Sequence, residues 1–488
     1  MILDGFWTTN ASVGLAGGAT TRTYYKEQSI FGTGTVGWDD TYYVDFSVRN
    51  DWTSTLHPDN NSMLYGGVSI AAIASNWFKS ATWLDFWKLR ASAAQVGSSV
   101  DAYNIYTSYL MTDSDDNQIK YNGMSTMYAS SNQKNKDLKP TISTSFEIGT
   151  EFRMFNGRLY GDINFYNRDS KNQIINVTTA PQSGYSTRKM NAGLIRNRGY
   201  EVSLGGYPVR TKNFDWELNF NISKNENTLV ELVDGVDSYR LASYGLSSYI
   251  YSYAEVGKPV GVFRGTAWVR DEKGNLILKK QTGSAAEKYG DYVPQLDTSG
   301  KTDLGNFQPD FTGGFSTGFR YKNFRLNATF DFVVGGQIAS ITNMNGEGSG
   351  LFATTAGKND KGVDLRSPVS EGGGVRVDGV DTEGNPVTAY VEAQQYFKLK
   401  HKIWEPYMYD RTYVKMREVS LSYDVPSSFL KKTKTGINRL GISVFAQNPW
   451  LLYSACPNID VSESGTNWRE GGQAVATRSW GLTVNLSF

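Results

Sequence analysis

The chain has 488 residues, of which 39% are hydrophobic and 20% are charged, and 49 lysines and arginines balance 48 acidic residues. This balance excludes a global field that would attract nucleic acid, and the composition excludes collagen, coiled-coil and disulfide-scaffold proteins. One cysteine, Cys456, and two histidines, His57 and His401, rule out an internal disulfide and a cysteine- or histidine-rich metal site. No apolar run is long enough for a transmembrane helix, and the first residues do not resemble a signal peptide.

Alternation of apolar and polar residues predicts a long series of β-strands. In FDWELNFNIS, residues 214–223, every second side chain from Phe214 to Ile222 is apolar and the residues between them are polar. This period of two is typical of a strand that separates two unlike solvents. Thirteen strands are predicted, near residues 23–38, 41–52, 64–73, 86–97, 140–155, 158–168, 194–209, 213–224, 311–322, 324–337, 412–424, 437–448 and 476–488.

The connections between these strands alternate in length. Short turns are predicted at Asp39-Asp40, Asn156-Gly157, 210–213 and Lys322-Asn323, with helical turns near 74–85 and 425–436. Long excursions are predicted at about 98–140, 225–310, 338–411 and 449–475. Short turns on one rim, long loops on the other and aromatic residues at strand ends indicate an outer-membrane barrel. The predicted fold class is therefore all-β, an antiparallel transmembrane β-barrel.

The odd strand count predicts an incomplete barrel, because bacterial single-chain barrels have an even number of strands. Residues 1–22 are predicted to be a leading segment, the end of a loop or of a missing strand. Residues 23–488 are predicted to be the C-terminal part of a barrel. Phe488, an aromatic residue that ends the last strand, is predicted to be the barrel-insertion signal.

We interpret two glycine motifs, the two histidines and the cysteine as structural features and not as catalytic ones. The G-x-G-x-x-G pattern at 32–37 and the G-x-S-x-G pattern at 314–318 both lie within predicted strands, where neither a dinucleotide fold nor a nucleophile elbow can form. His57 and His401 are predicted to be solvated loop residues, and Cys456 a small loop residue. We therefore predict that the protein is not an enzyme and uses no cofactor and no metal.

Aromatic residues in the long loops are the candidate ligand contacts. Trp404, Tyr407 and Tyr409 cluster in one loop, and Tyr249 and Tyr251, with further tyrosines beside them, in another. Such rings can stack on sugars or grip peptides at a low entropy cost. They could equally be girdle residues or contacts to a partner protein. The mixed charges on the inward strand faces, Asp162, Asp215 and Asp331 among them, predict a wet lumen with charges paired across strands.

Four stretches resemble the SusC-like family of TonB-dependent outer-membrane transporters, the RagA/SusC type. They are LKPTISTSFEIGTEFRMFNGRLYGDINFYNRDSKNQII at 138–175, NAGLIRNRGYEVSL at 191–204, GNFQPDFTGGFSTGFRYKNFRLNATFDFVVGGQI at 305–338, and YVKMREVSLSYDVPSSFLKK at 413–432 with the strand that ends at Phe488. The resemblance covers most of residues 40–488. An Asp- and Gly-rich loop that the family often carries before the third stretch is altered here, so no calcium ion is expected.

The resemblance implies a barrel of about 22 strands with a plug, of which about nine strands, the plug and the TonB box are expected to be absent here. It implies outer-membrane import of glycans or peptides in a Gram-negative bacterium. The implied partners are a SusD-like surface lipoprotein, TonB through the missing N-terminal part, the barrel-assembly machinery and membrane lipid. The alternative is a passive outer-membrane channel or a surface-binding barrel.

Overall fold

The structure, a computed structural model, describes residues 22–110, 120–246, 248–433, 436–472 and 476–488. The predicted leading segment at 1–22 lies, except for Arg22, outside the described residues.

One antiparallel sheet dominates the fold, and each of its thirteen strands pairs with the next one along the chain. We number them β1–β13: Glu27–Trp38, Tyr42–Thr53, Ser62–Ile73, Leu84–Ser98, Thr141–Met154, Leu159–Lys171, Leu194–Arg210, Phe214–Glu231, Phe311–Tyr321, Phe324–Val334, Tyr413–Asp424, Arg439–Ser454 and Ser479–Ser487. The predicted fold class and all thirteen predicted strands are confirmed. The sheet is not closed, since β1 and β13 each pair on one side only in the described part of the chain.

The two faces of the sheet follow the alternation in the sequence. On β2, Val44, Phe46 and Val48 point outward and are exposed, as are Leu482 and Val484 on β13. Exposed large apolar side chains over a whole sheet face would be unfavourable in water. A lipid environment accounts for them, as expected for a transmembrane barrel.

Several strands are longer than their apolar pattern predicts. The strict alternation of β8 ends at Ser223, but the strand continues to Glu231 and pairs with β7 along most of its length. β12 likewise extends to Ser454. Backbone hydrogen bonds do not need apolar side chains, so pairing continues where the sheet rises beyond its apolar band.

The predicted short turns are confirmed on one edge of the sheet, which we call the short-turn rim. Asp39 and Asp40 both have positive φ, and so do Asn156 and Gly157, as the primed turns of β-hairpins require. A short 3₁₀ helix, Ala74–Phe78, and helix α4, Ser427–Thr433, confirm the two predicted helical turns.

Aromatic side chains line the short-turn rim. The Tyr42 ring stacks on Trp38 at a centroid distance of 5.8 Å, and Trp77 Nε1 donates a hydrogen bond to the Tyr42 hydroxyl at 3.1 Å. Trp83 packs against Phe155 at 6.1 Å. Such rings have an apolar body and, in Trp and Tyr, a polar edge, which suits the boundary between lipid and water.

The opposite edge, the long-loop rim, carries the long connections, including one at 172–193 that the alternation did not reveal. Their strands are Tyr109–Leu110, Lys120–Tyr121, Met124–Ser125, Tyr128–Ala129, Asn132–Gln133, Ile174–Thr178, Thr187–Asn191, Ser238–Gly245, Tyr249–Glu255, Val262–Trp268, Leu278–Lys280, Tyr292–Pro294, Leu296–Asn306, Gln337–Ser340, Val375–Val380, Pro386–Val391, Met408–Asp410 and Arg469–Glu470. Their helices are α1, Ser284–Tyr289, α2, Ile341–Gly348, and α3, Ala393–Lys400. No helix in the described ranges is long and apolar enough to cross a membrane.

Candidate functional site in the long loops

Three long connections pack into one body, which we call the loop assembly and define as the described residues of 232–310, 335–412 and 455–472. The first connection supplies a four-stranded sheet, the second supplies α2 and α3, and the third adds the strand Arg469–Glu470. The first two connections form a buried core, and Trp468 of the third connection packs against it. The core residues are Ile250, Phe263, Leu304, Ala339, Ile341, Met344, Trp404 and Tyr407. Because each large buried side chain stabilises by about 1.5–3 kcal/mol, this core holds the three loops as one platform.

Trp404 joins the second connection to the first. Its Nε1 donates a hydrogen bond to the Ser248 carbonyl at 3.2 Å, and its backbone N–H donates to the Thr266 carbonyl at 3.0 Å. The Tyr244 ring meets the indole edge-on, with centroids 6.0 Å apart. Trp404 therefore acts in this structure as a central core residue of the loop assembly.

Tyr407 and Tyr409 both lie near enough to Glu347 for its charge to act on them. Tyr407 is fully buried and Tyr409 partly buried. Burial, and then the Glu347 carboxylate, raise the pKa of both phenols, that of Tyr409 to about 12. Both hydroxyls therefore stay protonated at neutral pH. Trp404 and Tyr407 are covered by packing in this structure, and ligand contact by the three residues stays a prediction.

Tyr249 and Tyr251 form the open aromatic surface of the loop assembly. Their rings stack with centroids 5.9 Å apart and an interplanar angle of 12°. Tyr249 is 59% exposed, and the Arg240 guanidinium lies 5.7 Å from the centre of the Tyr251 ring. A stacked pair with one open face suits a sugar ring or an apolar side chain. Ligand contact stays a prediction here too, but these two residues are placed to make it.

A buried ion cluster ties the third connection to the inner wall of the sheet. Lys415 on β11 is 1% exposed, and its Nζ donates to Asp460 at 2.7 Å, Glu463 at 2.7 Å and Ser462 at 3.1 Å. Arg417 donates to Glu463 at 2.9 Å and to Asp331 on β10 at 2.8 Å. We call Lys415, Arg417, Asp331, Asp460 and Glu463 the lumen latch.

The latch holds the Glu463 carboxylate in the charged state. The hydrogen bond from Lys415, and further that from Arg417, lower the pKa of Glu463 below its ordinary value against the opposing effect of burial. Asp460 also accepts hydrogen bonds from the backbone and hydroxyl of Ser462, at 3.1 and 2.7 Å. A cleft of about 260 Å³ lies between the latch, Glu470 and Arg478.

Charges on the inner face of the sheet pair across strands, as predicted. Arg90 on β4 donates two hydrogen bonds to Asp162 on β6, at 2.6 and 2.7 Å. Arg320 on β9 pairs with Asp215 on β8, and Asp331 belongs to the latch. Opposite charges thus line a polar inner wall.

The remaining residues singled out in the sequence have structural surroundings. His57 lies 3.2 Å from Asp59, and His401 Nε2 lies 3.2 Å from the side-chain oxygen of Asn345, with burial lowering the pKa of His401. Cys456 is 1% exposed, and burial raises the pKa of its thiol to about 12, so the thiol is neutral. The two glycine motifs lie inside β1 and β9, as predicted.

The altered Asp-rich loop closes on itself. Asp297 accepts hydrogen bonds from the Ser299 backbone at 2.9 Å and from the Thr302 hydroxyl at 2.7 Å. Asp303 pairs with Arg264 at 3.0 Å. Within the part of the chain that the structure describes, no three metal-ligating side chains come together.

Phe488 follows β13 at the short-turn rim and is 79% exposed. This exposure leaves the ring available to another protein, and its role as an insertion signal stays a prediction.

The latch is the feature that sequence reasoning missed. In YVKMREV, Lys415 and Arg417 alternate with Val414 and Met416, which assigns both cations to the inner face. Their partners Asp460 and Glu463 lie more than forty residues further along the chain. No local pattern links residues so far apart, so the pairing needed the structure.

Comparison with known proteins places the chain. The β-barrel family described as "TonB dependent receptor-like" matches residues 3–357. The TonB-dependent receptor P3 of Formosa agariphila is 26% identical over 473 residues, which cover 93% of this chain and 44% of that receptor. The TonB-dependent receptor SusC of Bacteroides thetaiotaomicron is 26% identical over 338 residues, 65% of this chain and 32% of SusC.

A solved structure has the same fold. The RagAB peptide transporter superposes with a TM-score of 0.71 at 21% identity, over 95% of this chain and 48% of that chain. The chain thus spans less than half the length of these relatives. The relatives are receptors and transporters, which is consistent with the predicted absence of enzymatic activity. An outer-membrane location follows from the family. The chain belongs to the TonB-dependent receptor β-barrel family and is SusC-like.

Proposed function

We propose that the chain forms the pore wall and ligand-admitting loops of an importer that takes up glycan or peptide fragments together with a SusD-like surface lipoprotein. The observation that carries the proposal is the loop assembly. Two connections form one core, the third packs against it through Trp468, and the lumen latch fixes the third connection to the inner wall. A ligand held on the loops would therefore lie directly above a polar lumen.

The family and its members support energised transport. TonB-dependent receptors use a plug and a TonB-contact segment, and we propose that a longer receptor supplies both from outside these 488 residues. RagAB is described as a peptide transporter, which supports peptides as cargo, and the family resemblance supports glycans. The Tyr249–Tyr251 stack suits either cargo.

A passive channel is the second candidate, because the inner face is polar and its charges are paired, as in a water-filled lumen. The two functions differ in their need for energy. An importer depends on TonB and the proton gradient, whereas a channel conducts down a concentration gradient without either.

The test is uptake by the native host with the gene deleted and restored. Cells receive fluorescent oligosaccharides or fluorescent short peptides, with and without a protonophore. We expect restored cells to accumulate one of the two cargo classes and to lose accumulation with the protonophore or without TonB. Uptake that persists in de-energised cells, with steady conductance of the purified protein in planar bilayers, would establish the passive channel instead.

A further inference from the structure

A second cleft, of about 230 Å³, lies on the inner wall where β8 and β9 meet the loop assembly. Ser223, Asn225 and Asn227 of β8 line one side. Gln308, Arg411 and Asn467, from all three connections of the loop assembly, close the other. Among the described residues that line the cleft there is a cation but no carboxylate.

Arg411 belongs to the second connection, lines the cleft beside β8, and differs from the paired arginines of the inner wall. Arg90, Arg320 and Arg417 each pair with a carboxylate. Arg411 has no carboxylate within 4 Å in the described ranges, and its Nε is buried without a hydrogen-bond partner. The adjacent carboxylate of Asp410 instead accepts a hydrogen bond from the Thr412 backbone at 2.7 Å.

An unpaired cation in this position is costly. The guanidinium of Arg411 remains charged at neutral pH. Burial removes water from around this charge and therefore lowers the pKa of Arg411. Burying a charge without a partner is unfavourable unless an opposite charge approaches. The backbone holds the residue in place, since the Arg411 N–H donates to the Gly336 carbonyl at 2.9 Å.

The rest of the cleft restricts what could approach. The side-chain amide of Gln308 is already hydrogen-bonded within the protein. It donates to the carbonyls of Asn227 at 2.8 Å and Val260 at 2.7 Å and accepts from the Asn227 N–H at 3.1 Å. The side-chain oxygen of Asn227 is buried and has no donor in the described structure. The cleft thus offers a cation and an acceptor that awaits an O–H or N–H group.

We propose that this cleft binds the carboxylate of a small imported solute, with Arg411 as its cation and Asn227 as the acceptor for a neighbouring O–H or N–H group. The planar guanidinium matches a carboxylate with two parallel hydrogen bonds. A peptide C-terminus and a uronic acid both carry this combination of groups. The inference rests on the proposed function only for the route by which the solute arrives.

The test is calorimetric titration of the full 488-residue chain in detergent. The probes are trialanine against its C-terminal amide, and trigalacturonate against its methyl ester. We expect one or both acids to bind and the neutral forms not to bind. Arg411→Gln should weaken binding by about 10- to 100-fold, the effect of losing a hydrogen bond to a charged group. Arg188→Gln, at an exposed arginine in another loop, is the matched control and should bind normally.

Two further variants keep the test decisive if Arg411→Gln does not fold, as judged by heat-modifiable mobility on gels. Arg411→Lys keeps the charge but loses the planar fork, and Asn227→Asp places a competing carboxylate in the cleft. Both should weaken binding of the acids. Equal binding of acid and neutral probes, or unchanged affinity in the folded variants, would overturn the proposal. Binding that survives while uptake proves independent of energy would refute the importer and leave the site intact.

Discussion

Lys415→Met should release the third connection of the loop assembly from the inner wall. Lys415 is almost completely buried and is the cation of both Asp460 and Glu463. Methionine has a similar length and fills the same space, so packing changes little while the charge is lost. The two carboxylates then remain in a partly buried site that was built around a cation.

The magnitude follows from what each carboxylate retains. Breaking a buried ion pair by removing one partner costs about 3–5 kcal/mol. Glu463 keeps Arg417 at 2.9 Å, and Asp460 keeps two hydrogen bonds from Ser462. We therefore expect the low end, about 3 kcal/mol. Since about 1.4 kcal/mol corresponds to a factor of ten, the opening equilibrium of the segment should rise about 100-fold.

Amide hydrogen exchange measures this opening directly. The N–H groups of Glu463 and Ser464 donate to the carbonyls of Asp460 and Val461, at 3.2 and 3.3 Å, and report on the segment. In Lys415→Met they should exchange about 100-fold faster at pH 7, while the amides of β10 and β11 remain protected.

The matched control is Lys432→Met, at an exposed lysine of α4 on the short-turn rim. It removes the same charge from the protein and should leave exchange at Glu463 and Ser464 unchanged. If Lys415→Met accelerates exchange there less than threefold in a folded protein, the latch does not hold the segment and the reasoning is refuted.

Three other perturbations address the loop assembly. Trp404→Ala should destabilise it by about 3–5 kcal/mol, the usual cost of truncating a buried tryptophan, seen as loss of protection at Ile250 with the strands intact. Tyr249→Ala with Tyr251→Ala should leave thermal stability unchanged and raise the half-saturating cargo concentration for uptake about 5-fold, equivalent to about 1 kcal/mol of ring contact. The pKa of Glu463 is lowered in the folded protein, so the stabilisation from its ion pairs is fully present above its ordinary pKa of 4.5. Exchange protection of the segment, corrected for intrinsic rates, should therefore be constant above that pH and should fall as the pH is lowered further.

The strands were predictable because lipid and water impose a pattern of period two on each one separately. The outward face of β2, from Tyr42 to Val48, can be read without knowing its neighbours. The hairpin at Asn156-Gly157 is equally local, since both residues tolerate positive φ. The odd strand count also predicts two unpaired edges, and in the described part of the chain β1 and β13 each pair on one side only.

The loops were not predictable in the same way. Trp404 and Tyr407 are aromatic loop residues, and so are Tyr249 and Tyr251, yet the first pair lies in the core and the second on the surface. Their composition is alike, and only the packing of three connections distant in sequence separates them. The same holds for Arg411, whose lack of a carboxylate becomes visible only when its surroundings are assembled.

The cleft beside Arg411 and the loop assembly share residues, which links the proposed carboxylate site to the proposed function. Asn467 and Phe307 line the cleft, while Trp468 and the same Phe307 pack against the loop core. A carboxylate beside Arg411 would therefore touch the wall on one side and the loop platform on the other. Because the latch fixes that platform to β10 and β11, a bound solute would meet a rigid surface. Preorganised sites of this kind lose little entropy on binding, which favours capture of dilute cargo.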